Sequence, residues 1–324
     1  MAKQVAFLFT LVTLLCGLSP TSLAKTLVEA PLKIGLLYSG DSFAVAYAQD
    51  SKLFAEHNVP VEIIAFNSAF ERDNALLAGQ IDGANGDLVV AYLLRAREEK
   101  IRITALTLGD DPTLRLCALV VADGSKYKSP FSPLDLKGKT IAISPNTSIE
   151  YLSDRILQKN GVEPSSLVYM HIQSIHMRMS LLQQKKLDAT LLPEPLASMA
   201  VMQGGKILLD NRSLPYAHAV LMFRKEVIKN RTELVQRFHT AMWAGIRKIN
   251  ANPQAYREAI ATRCKTPEAV KEPGFLYRFS EPQLPSLTLY EDVQSWLKEK
   301  NKVLAPVAYH DIMYAGFLPV AHAL

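Results

Sequence analysis

The sequence has little cysteine, little tryptophan and few long apolar runs. It contains three cysteines and two tryptophans in 324 residues. Cys16, Cys117 and Cys264 match neither a zinc spacing nor a redox spacing, which excludes a cysteine metal site and a disulfide-rich scaffold. Cys117 and Cys264 remain compatible with one disulfide or with two buried thiols. The apolar run around Cys117 favours two separate thiols.

The longest apolar run lies at the start of the chain. Residues 5–18 give about 14 apolar positions, fewer than the roughly 20 that span a bilayer. Lys3 precedes this run, and Ser22 and Ala24 place small residues where a signal peptidase cuts. The pattern predicts a secretory signal peptide over residues 1–24, cleaved after Ala24. Leu15 stands where a lipoprotein signal needs a small residue before Cys16, so ordinary cleavage is favoured over lipidation.

An excess of one charge and the common catalytic motifs are also missing. The net charge is +5, or +4 once Lys3 is removed, and no basic run or aromatic-interleaved patch occurs. Nucleic acid is therefore not a predicted partner. The sequence contains no P-loop, dinucleotide fingerprint, Gly-x-Ser-x-Gly elbow or His-Glu-x-x-His. His171 and His176 have no acidic or cysteine ligand beside them, so we predict neither a metal nor a cofactor.

The chain contains an internal repeat, with residues 32–94 and 138–200 displaced by about 106 positions. Each copy begins with a strand (32–38 or 139–144) and continues through a polar turn into a helix. A second strand follows (61–66 or 167–172), then a helix opening near Arg72 or Arg178, an aspartate and a third strand. This alternation predicts parallel sheets covered by helices, that is, an α/β fold. The first helix of the first copy is expected to end near His57 and Asn58.

The remaining segments suggest how two lobes are connected. About 300 mature residues exceed the usual size of one domain, so two lobes are expected. Strand-like runs at 101–108, 116–121 and 219–223 suggest crossovers between the lobes. The segment after residue 226 is mostly helical and is expected to pack on the first lobe. The predicted division is 1–24 signal peptide, 25–118 first part of lobe 1, 119–219 lobe 2, and 220–324 C-terminal part returning to lobe 1.

Candidate binding residues follow the strands, because ligands of open parallel sheets bind beyond the carboxyl ends of the strands. The loops there are small, polar and rich in Asn, Ser and Thr, and helix N-termini suit an acidic group on a ligand. The candidates are Ser39, Asp41, Ser42, Asn67, Asn85, Asp87, Ser144, Asn146, Thr147, Ser148, Gln173 and Glu194.

Each candidate has a simpler alternative role. Asp41, Ser42, Thr147 and Ser148 are also good helix N-caps. Glu194, between Pro193 and Pro195, could accept from a ligand amine or pair across the cleft, but a surface acid in a turn fits as well. Arg72 and Arg178 could hold an anion bidentately. Arginines on helix surfaces usually lie in solvent, so both are left out of the candidate set.

Three segments carry a resemblance to a known family. They are the run Asp135-Leu136-Lys137-Gly138-Lys139-Thr140-Ile141-Ala142-Ile143, the Thr147-Ser148 helix start, and Leu187-Asp188-Ala189 leading to Pro193-Glu194-Pro195. Together they resemble type 2 periplasmic binding proteins of ABC importers, in the branch that serves sulfonates, taurine, nitrate and thiamine precursors. The resemblance covers roughly residues 32–211. The Trp-rich and His-rich loop associated with thiamine-precursor binders is absent after the first strand.

The resemblance implies a two-lobed type 2 periplasmic binding protein fold, each lobe a mainly parallel sheet flanked by helices, joined by two hinge strands. It also implies a periplasmic, monomeric protein, peripheral to the membrane, that delivers a small anionic or zwitterionic solute to an ABC permease and ATPase. No catalysis is expected. The alternatives are an enzyme of the same fold, of the thiamine-pyrimidine or menaquinone-pathway type, and a solute sensor for a membrane receptor.

Overall fold

The computed structural model describes residues 29–97, 100–122, 132–214, 218–271 and 275–319. The predicted leader, residues 1–24, lies outside these ranges. The described residues from Pro31 onward form one compact unit. In the described part of the chain, no helix is long and apolar enough to cross a membrane.

Ten strands in the described residues form two five-stranded sheets. The strands are β1 (Leu32–Leu37), β2 (Val61–Phe66), β3 (Gly83–Asp87), β4 (Ile101–Leu106), β5 (Cys117–Val121), β6 (Thr140–Ile143), β7 (Val168–His171), β8 (Ala189–Pro193), β9 (Lys206–Asp210) and β10 (Ala219–Arg224). The first sheet has the order β2-β1-β3-β10-β4 and the second the order β7-β6-β8-β5-β9. We call each sheet with the helices packed on it a lobe, lobe 1 and lobe 2.

The two sheets have the same topology. β1 pairs in parallel with β2 and β3, and β6 pairs in parallel with β7 and β8. The fourth strand in the order of each sheet is reached directly from the other sheet along the chain. β10 follows β9 of the second sheet and runs antiparallel to β3 and β4, and β5 follows β4 of the first sheet and runs antiparallel to β8 and β9. Each sheet therefore has four strands in one direction and one opposed, as the internal repeat predicts for two mainly parallel sheets.

Helices follow the parallel strands of both lobes and fill the C-terminal part. They are α1 (Phe43–Asp50), α2 (Leu53–Glu56), α3 (Ala69–Leu77), α4 (Leu88–Ala96), α5 (Ser148–Lys159), α6 (Ile175–Gln183), α7 (Leu196–Met202), α8 (Lys225–Asn230), α9 (Thr232–Ala251), α10 (Arg257–Arg263), α11 (Leu287–Glu299) and α12 (Tyr309–Ile312). The single helix expected before Asn58 is two helices. Lys52 adopts the left-handed conformation, with φ 62°, and breaks it.

The repeat extends to the helix caps. Ser68 accepts a hydrogen bond from Glu71 N, and Ser174, 106 positions later, accepts one from Met177 N, each at 3.3 Å. These bonds satisfy backbone donors that the first turn of a helix cannot pair internally. The second helix of each copy therefore starts at the equivalent position of the repeat.

The chain passes between the sheets twice, between β4 and β5 and between β9 and β10. Buried Asn211 joins these crossovers. Its Oδ1 accepts from Leu116 N at 2.7 Å and Cys117 N at 2.9 Å, and its Nδ2 donates to Leu114 O at 3.2 Å. One side chain thus ties the first crossover to the start of the second.

The C-terminal helices contact both lobes. α9 packs on α1 and α2 of lobe 1, where the rings of Phe54 and Phe238 stack 4.6 Å apart. α11 packs on α4 of lobe 1 and also reaches α5 of lobe 2, where Trp296 Nε1 donates to Asp154 at 2.9 Å. The contact of α11 with lobe 2 was not expected from the sequence.

Cys117 and Cys264 are both buried, and no disulfide joins them. Cys117 lies in the interior of the second sheet, whereas Cys264 follows α10. Burial raises the pKa of the Cys264 thiol. The prediction of two separate buried thiols is confirmed.

Candidate functional site

A cavity of about 100 Å³ lies where the strand ends of the two lobes face each other. Lobe 1 provides Ser39, Asp41, Ser68, Arg72 and Asp87, and lobe 2 provides Ser144, Thr147, Ser148, Gln173, Arg178 and Pro193; His218 and Tyr277 complete the polar wall. This volume is smaller than that of an engineered cavity of about 150 Å³ that holds benzene.

Arg178 is the most unusual residue of this wall. It lies in the first turn of α6 and is completely buried. Its Nη1 donates to Ser144 Oγ and to Ile172 O, the latter at 2.9 Å, while Nε and Nη2 bond to no described residue. Burial lowers the pKa of Arg178 to about 9, with no carboxylate opposing that shift. A buried charge without a counter-ion is costly, so this guanidinium is suited to an anion from solution.

Arg72 occupies the equivalent position in lobe 1, 106 residues earlier, but in a different electrostatic environment. Its Nε donates to Asp73 Oδ1 at 2.8 Å and its Nη1 donates to Asn85 O at 2.8 Å. Burial raises the pKa of Asp73, and the Arg72 charge opposes that rise. Position 179, which corresponds to Asp73, is a methionine. The lobe 1 arginine is therefore neutralised by its neighbour and the lobe 2 arginine is not.

The N-terminus of α5 faces the same cavity. Thr147 is its N-cap: its Oγ1 accepts from Ile149 N at 3.2 Å and donates to Ser144 O at 2.8 Å. Ser148 N donates across the cleft to Asp87 Oδ1 at 3.2 Å. The N-terminus of a twelve-residue helix carries about half a positive charge, which adds to that of Arg178 on the lobe 2 wall.

Two carboxyl groups face this positive wall from lobe 1. Asp87 ends β3 and caps α4, and Val90 N donates to its Oδ1 at 3.0 Å. Burial raises the pKa of Asp87 to about 6. Asp41 accepts from Ser39 Oγ, and burial raises its pKa despite that bond and the nearby Arg72 charge. The cavity therefore has a cationic side and an acidic side.

Seven of the twelve predicted residues line the cavity: Ser39, Asp41, Asp87, Ser144, Thr147, Ser148 and Gln173. Ser42 and Asn85 lie behind the wall, where Asn85 Nδ2 donates to Ser42 Oγ at 3.5 Å. Asn67 is exposed. Asn146 points away from the cavity toward Lys302, whose Nζ donates to its Oδ1 at 2.7 Å.

Glu194 also lies off the wall, which Pro193 forms instead. The Glu194 carboxylate is fully buried, 2.6 Å from Arg115 Nε, and accepts from Ser198 N at 3.0 Å. Tyr277 donates to its carbonyl oxygen at 2.5 Å. The geometry gives Glu194 a structural role beside the first crossover, with no carboxylate oxygen directed at the cavity.

Sequence reasoning missed six of the wall residues named above: Ser68, Arg72, Arg178, Pro193, His218 and Tyr277. Arg72 and Arg178 were left out as surface arginines, although their matching repeat positions were a signal that both enter the cleft. His218 and Tyr277 lie outside the repeat, and no sequence pattern marks them. Only the return of the chain to lobe 1 brings them to the cavity.

Comparison with known proteins adds a family and a fold. The model of the NMT1-like family matches residues 26–265. No curated protein matches the chain.

Three solved structures illustrate the fold. The alkanesulfonate-binding protein SsuA from Xanthomonas axonopodis pv. citri, bound to MOPS, has a TM-score of 0.75 at 15% identity, covering 89% of this chain and 99% of that one. A ligand-binding component of an ABC-type import system from Staphylococcus aureus, with zinc bound, gives 0.72 at 18%, covering 89% and 98%. The desulfurization enzyme DSZB gives 0.65 at 15%, covering 89% and 97%. The predicted periplasmic binding protein fold is confirmed, and it is shared by binding proteins and an enzyme.

Proposed function

The chain belongs to the NMT1-like family, and from that premise we propose that it is the extracytoplasmic solute-binding component of an ABC importer. It holds a small anionic or zwitterionic solute in the cavity between the lobes, without chemical change. It then presents the closed complex to a permease and its ATPase. The predicted leader, residues 1–24, belongs to this proposal, because such a component acts outside the cytoplasm.

The proposal is carried by the buried guanidinium of Arg178, a residue of the cavity wall whose Nε and Nη2 have no hydrogen-bond partner among the described residues. An internal carboxylate would make such an arginine structural, as Asp73 does for Arg72. Among the described residues no carboxylate pairs with Arg178, so in this proposal the anion that completes its hydrogen bonds enters with the solute. Ser144 and the N-terminus of α5 lie beside it as further donors.

Replacing Arg178 tests this proposal. The mature chain is screened by thermal shift against sulfonates, carboxylates, nitrate, amino acids and pyrimidines, because a solute that binds only the native state raises its melting temperature. Calorimetry then compares the best solute on wild type and Arg178→Gln. Removing one partner of a buried charged pair costs about 2–5 kcal/mol, so affinity should fall about 30-fold or more.

Arg247→Gln is the matched control. Arg247 is exposed on α9 and is not part of the cavity wall, so this substitution removes the same charge at a position outside the site. Its affinity should equal that of wild type. Unchanged binding by Arg178→Gln, or stabilisation by none of the solutes, would contradict the proposal. The bound solute is also recovered and analysed by NMR, because a converted solute would favour the enzyme alternative that DSZB represents.

A further inference from the structure

The charges on the two walls of the cavity differ in sign. Among the described residues that line it from lobe 2, Arg178 is the one charged side chain. From lobe 1 come Asp41, Asp87 and Arg72, and Arg72 is already matched by Asp73. A solute in this cavity therefore meets an unbalanced cation on one side and two carboxyl groups on the other.

Backbone donors occupy one oxygen of the Asp87 carboxylate. Both Val90 N and Ser148 N donate to Oδ1, no backbone group of the described residues donates to Oδ2, and the Ser148 hydroxyl also lowers the pKa of this carboxyl. Asp87 and Asp41 are each partly exposed, in contrast to the fully buried Arg178. Capping α4 accounts for one oxygen of Asp87 and leaves the other for a donor from the solute.

We infer that the solute is a zwitterion whose cationic group lies against Asp87 and Asp41 while its acidic group lies against Arg178. This inference rests on the proposed function and narrows it. An anion without a cationic group would gain the Arg178 contact but bring a further negative charge toward two carboxylates. A zwitterion pairs with both walls and adds no net charge.

Pairs of solutes that differ only in an amino group provide the test. Calorimetry at pH 7.5 compares 2-aminoethanesulfonate with ethanesulfonate, and 3-aminopropanoate with propanoate. A hydrogen bond to a charged group corresponds to about 10- to 150-fold in affinity, and wild type should prefer the amino compound by that factor. Asp87→Asn should lower the ratio by about 10-fold or more, because the amide lacks the negative charge, and a preference that remains is assigned to Asp41.

The variant should fold, since Asn is as good an N-cap as Asp and can keep the bond from Val90 N. Asp50→Asn is the control, because Asp50 is an exposed acid of α1 in the same lobe. It should leave the ratio at the wild-type value.

The pH dependence gives a second readout. Burial raises the pKa of Asp87 to about 6, so lowering the pH through 6 protonates it and should weaken binding of the zwitterion. A simple anion should bind more tightly over the same range. Asp41, Arg72, Asp73, Arg178 and His218 also face this group, and the slope that remains in Asp87→Asn measures their contribution.

Each outcome decides between the proposals. Ethanesulfonate or propanoate binding as tightly as its amino partner overturns the zwitterion and leaves the proposed function intact. The zwitterion is also overturned if another anion without a cationic group binds and loses affinity in Arg178→Gln. If no anion or zwitterion binds at all, the proposed function itself fails. A preference for the amino compound that falls about 10-fold or more in Asp87→Asn and persists in Asp50→Asn supports the inference.

Discussion

At the scale of single residues, one neighbour decides what a buried arginine does. Arg72 and Arg178 occupy the same repeat position, but Asp73 follows the first and Met179 the second. The first arginine therefore forms an internal ion pair, whereas the second bonds only to Ser144 Oγ and Ile172 O among the described residues. The contrast was readable in the sequence, because the neighbours at 73 and 179 are adjacent to the arginines themselves.

Thr147 and Ser148 can be assigned separate roles. The Thr147 hydroxyl accepts a hydrogen bond from Ile149 N and donates one to Ser144 O. Thr147→Ala should therefore mainly reduce the free energy of unfolding, by about 1 kcal/mol. That corresponds to roughly 2–4 °C in melting temperature. Ser148→Ala removes a hydroxyl from the cavity wall and should weaken solute binding by about 2- to 12-fold, at 0.5–1.5 kcal/mol for one hydrogen bond. Thermal unfolding and calorimetry on both variants measure the two effects.

Thr147→Ser keeps the capping hydroxyl and serves as the control for Thr147→Ala. Its melting temperature should stay near that of wild type. A large affinity loss in Thr147→Ala with no change in stability would contradict the assignment of this residue to the cap.

The candidate site could be predicted only in part, for a geometric reason. Parallel strands end at one edge of a sheet, so Ser39 and Ser144 were expected at the cavity and line it. Which way a side chain turns at that edge depends on packing, and Ser42 turns inward to Asn85. Glu194 is held off the wall by Arg115, 79 positions away, and such a pairing leaves no local signal.

At the scale of elements, α11 is the helix that the sequence described least well. The sequence placed it in the C-terminal part that was expected to pack on lobe 1, and it has contacts on both lobes. Asp154 of α5 accepts from Tyr169 at 2.9 Å and from Trp296 Nε1 at 2.9 Å, with Lys300 Nζ 2.8 Å away. Trp296 belongs to α11 and Lys300 follows it, so this helix contacts lobe 2 through polar interactions as well as packing on lobe 1.

The two tryptophans allow the strength of that connection to be measured. Both are buried, but Trp296 donates to a carboxylate while Trp243 Nε1 has no partner among the described residues. Trp→Phe removes a similar volume at each position and a hydrogen bond at only one. A bond to a charged group contributes about 1.5–3 kcal/mol, so Trp296→Phe should melt roughly 3–12 °C below Trp243→Phe. Equal melting temperatures would show that the hydrogen bond from Trp296 to Asp154 adds nothing measurable to stability.

At the scale of the whole molecule, each lobe contains a strand that reaches it through a crossover. β5 completes the second sheet and β10 completes the first, so the chain connects the two sheets at two points. The repeat predicted the three parallel strands of each sheet. The repeat could not predict which sheet β5 and β10 join, because both strands lie outside the repeated segments.

Solute should therefore close the lobes by rotation about the two crossovers, and this can be measured between spin labels. Phe70 and Met177 are 61% and 58% exposed and follow the caps Ser68 and Ser174 on opposite sides of the cleft. With Phe70→Cys and Met177→Cys, label attaches to the new thiols, because Cys117 and Cys264 are both fully buried. Saturating solute should move the distance distribution from longer to shorter values, since hinge closure traps the ligand between the lobes.

The control pair, Phe70→Cys with Glu233→Cys, lies within lobe 1, and the distance between its labels should not change. A cleft distance that stays constant at saturation, while calorimetry shows binding, would mean that the lobes are already closed before the solute enters.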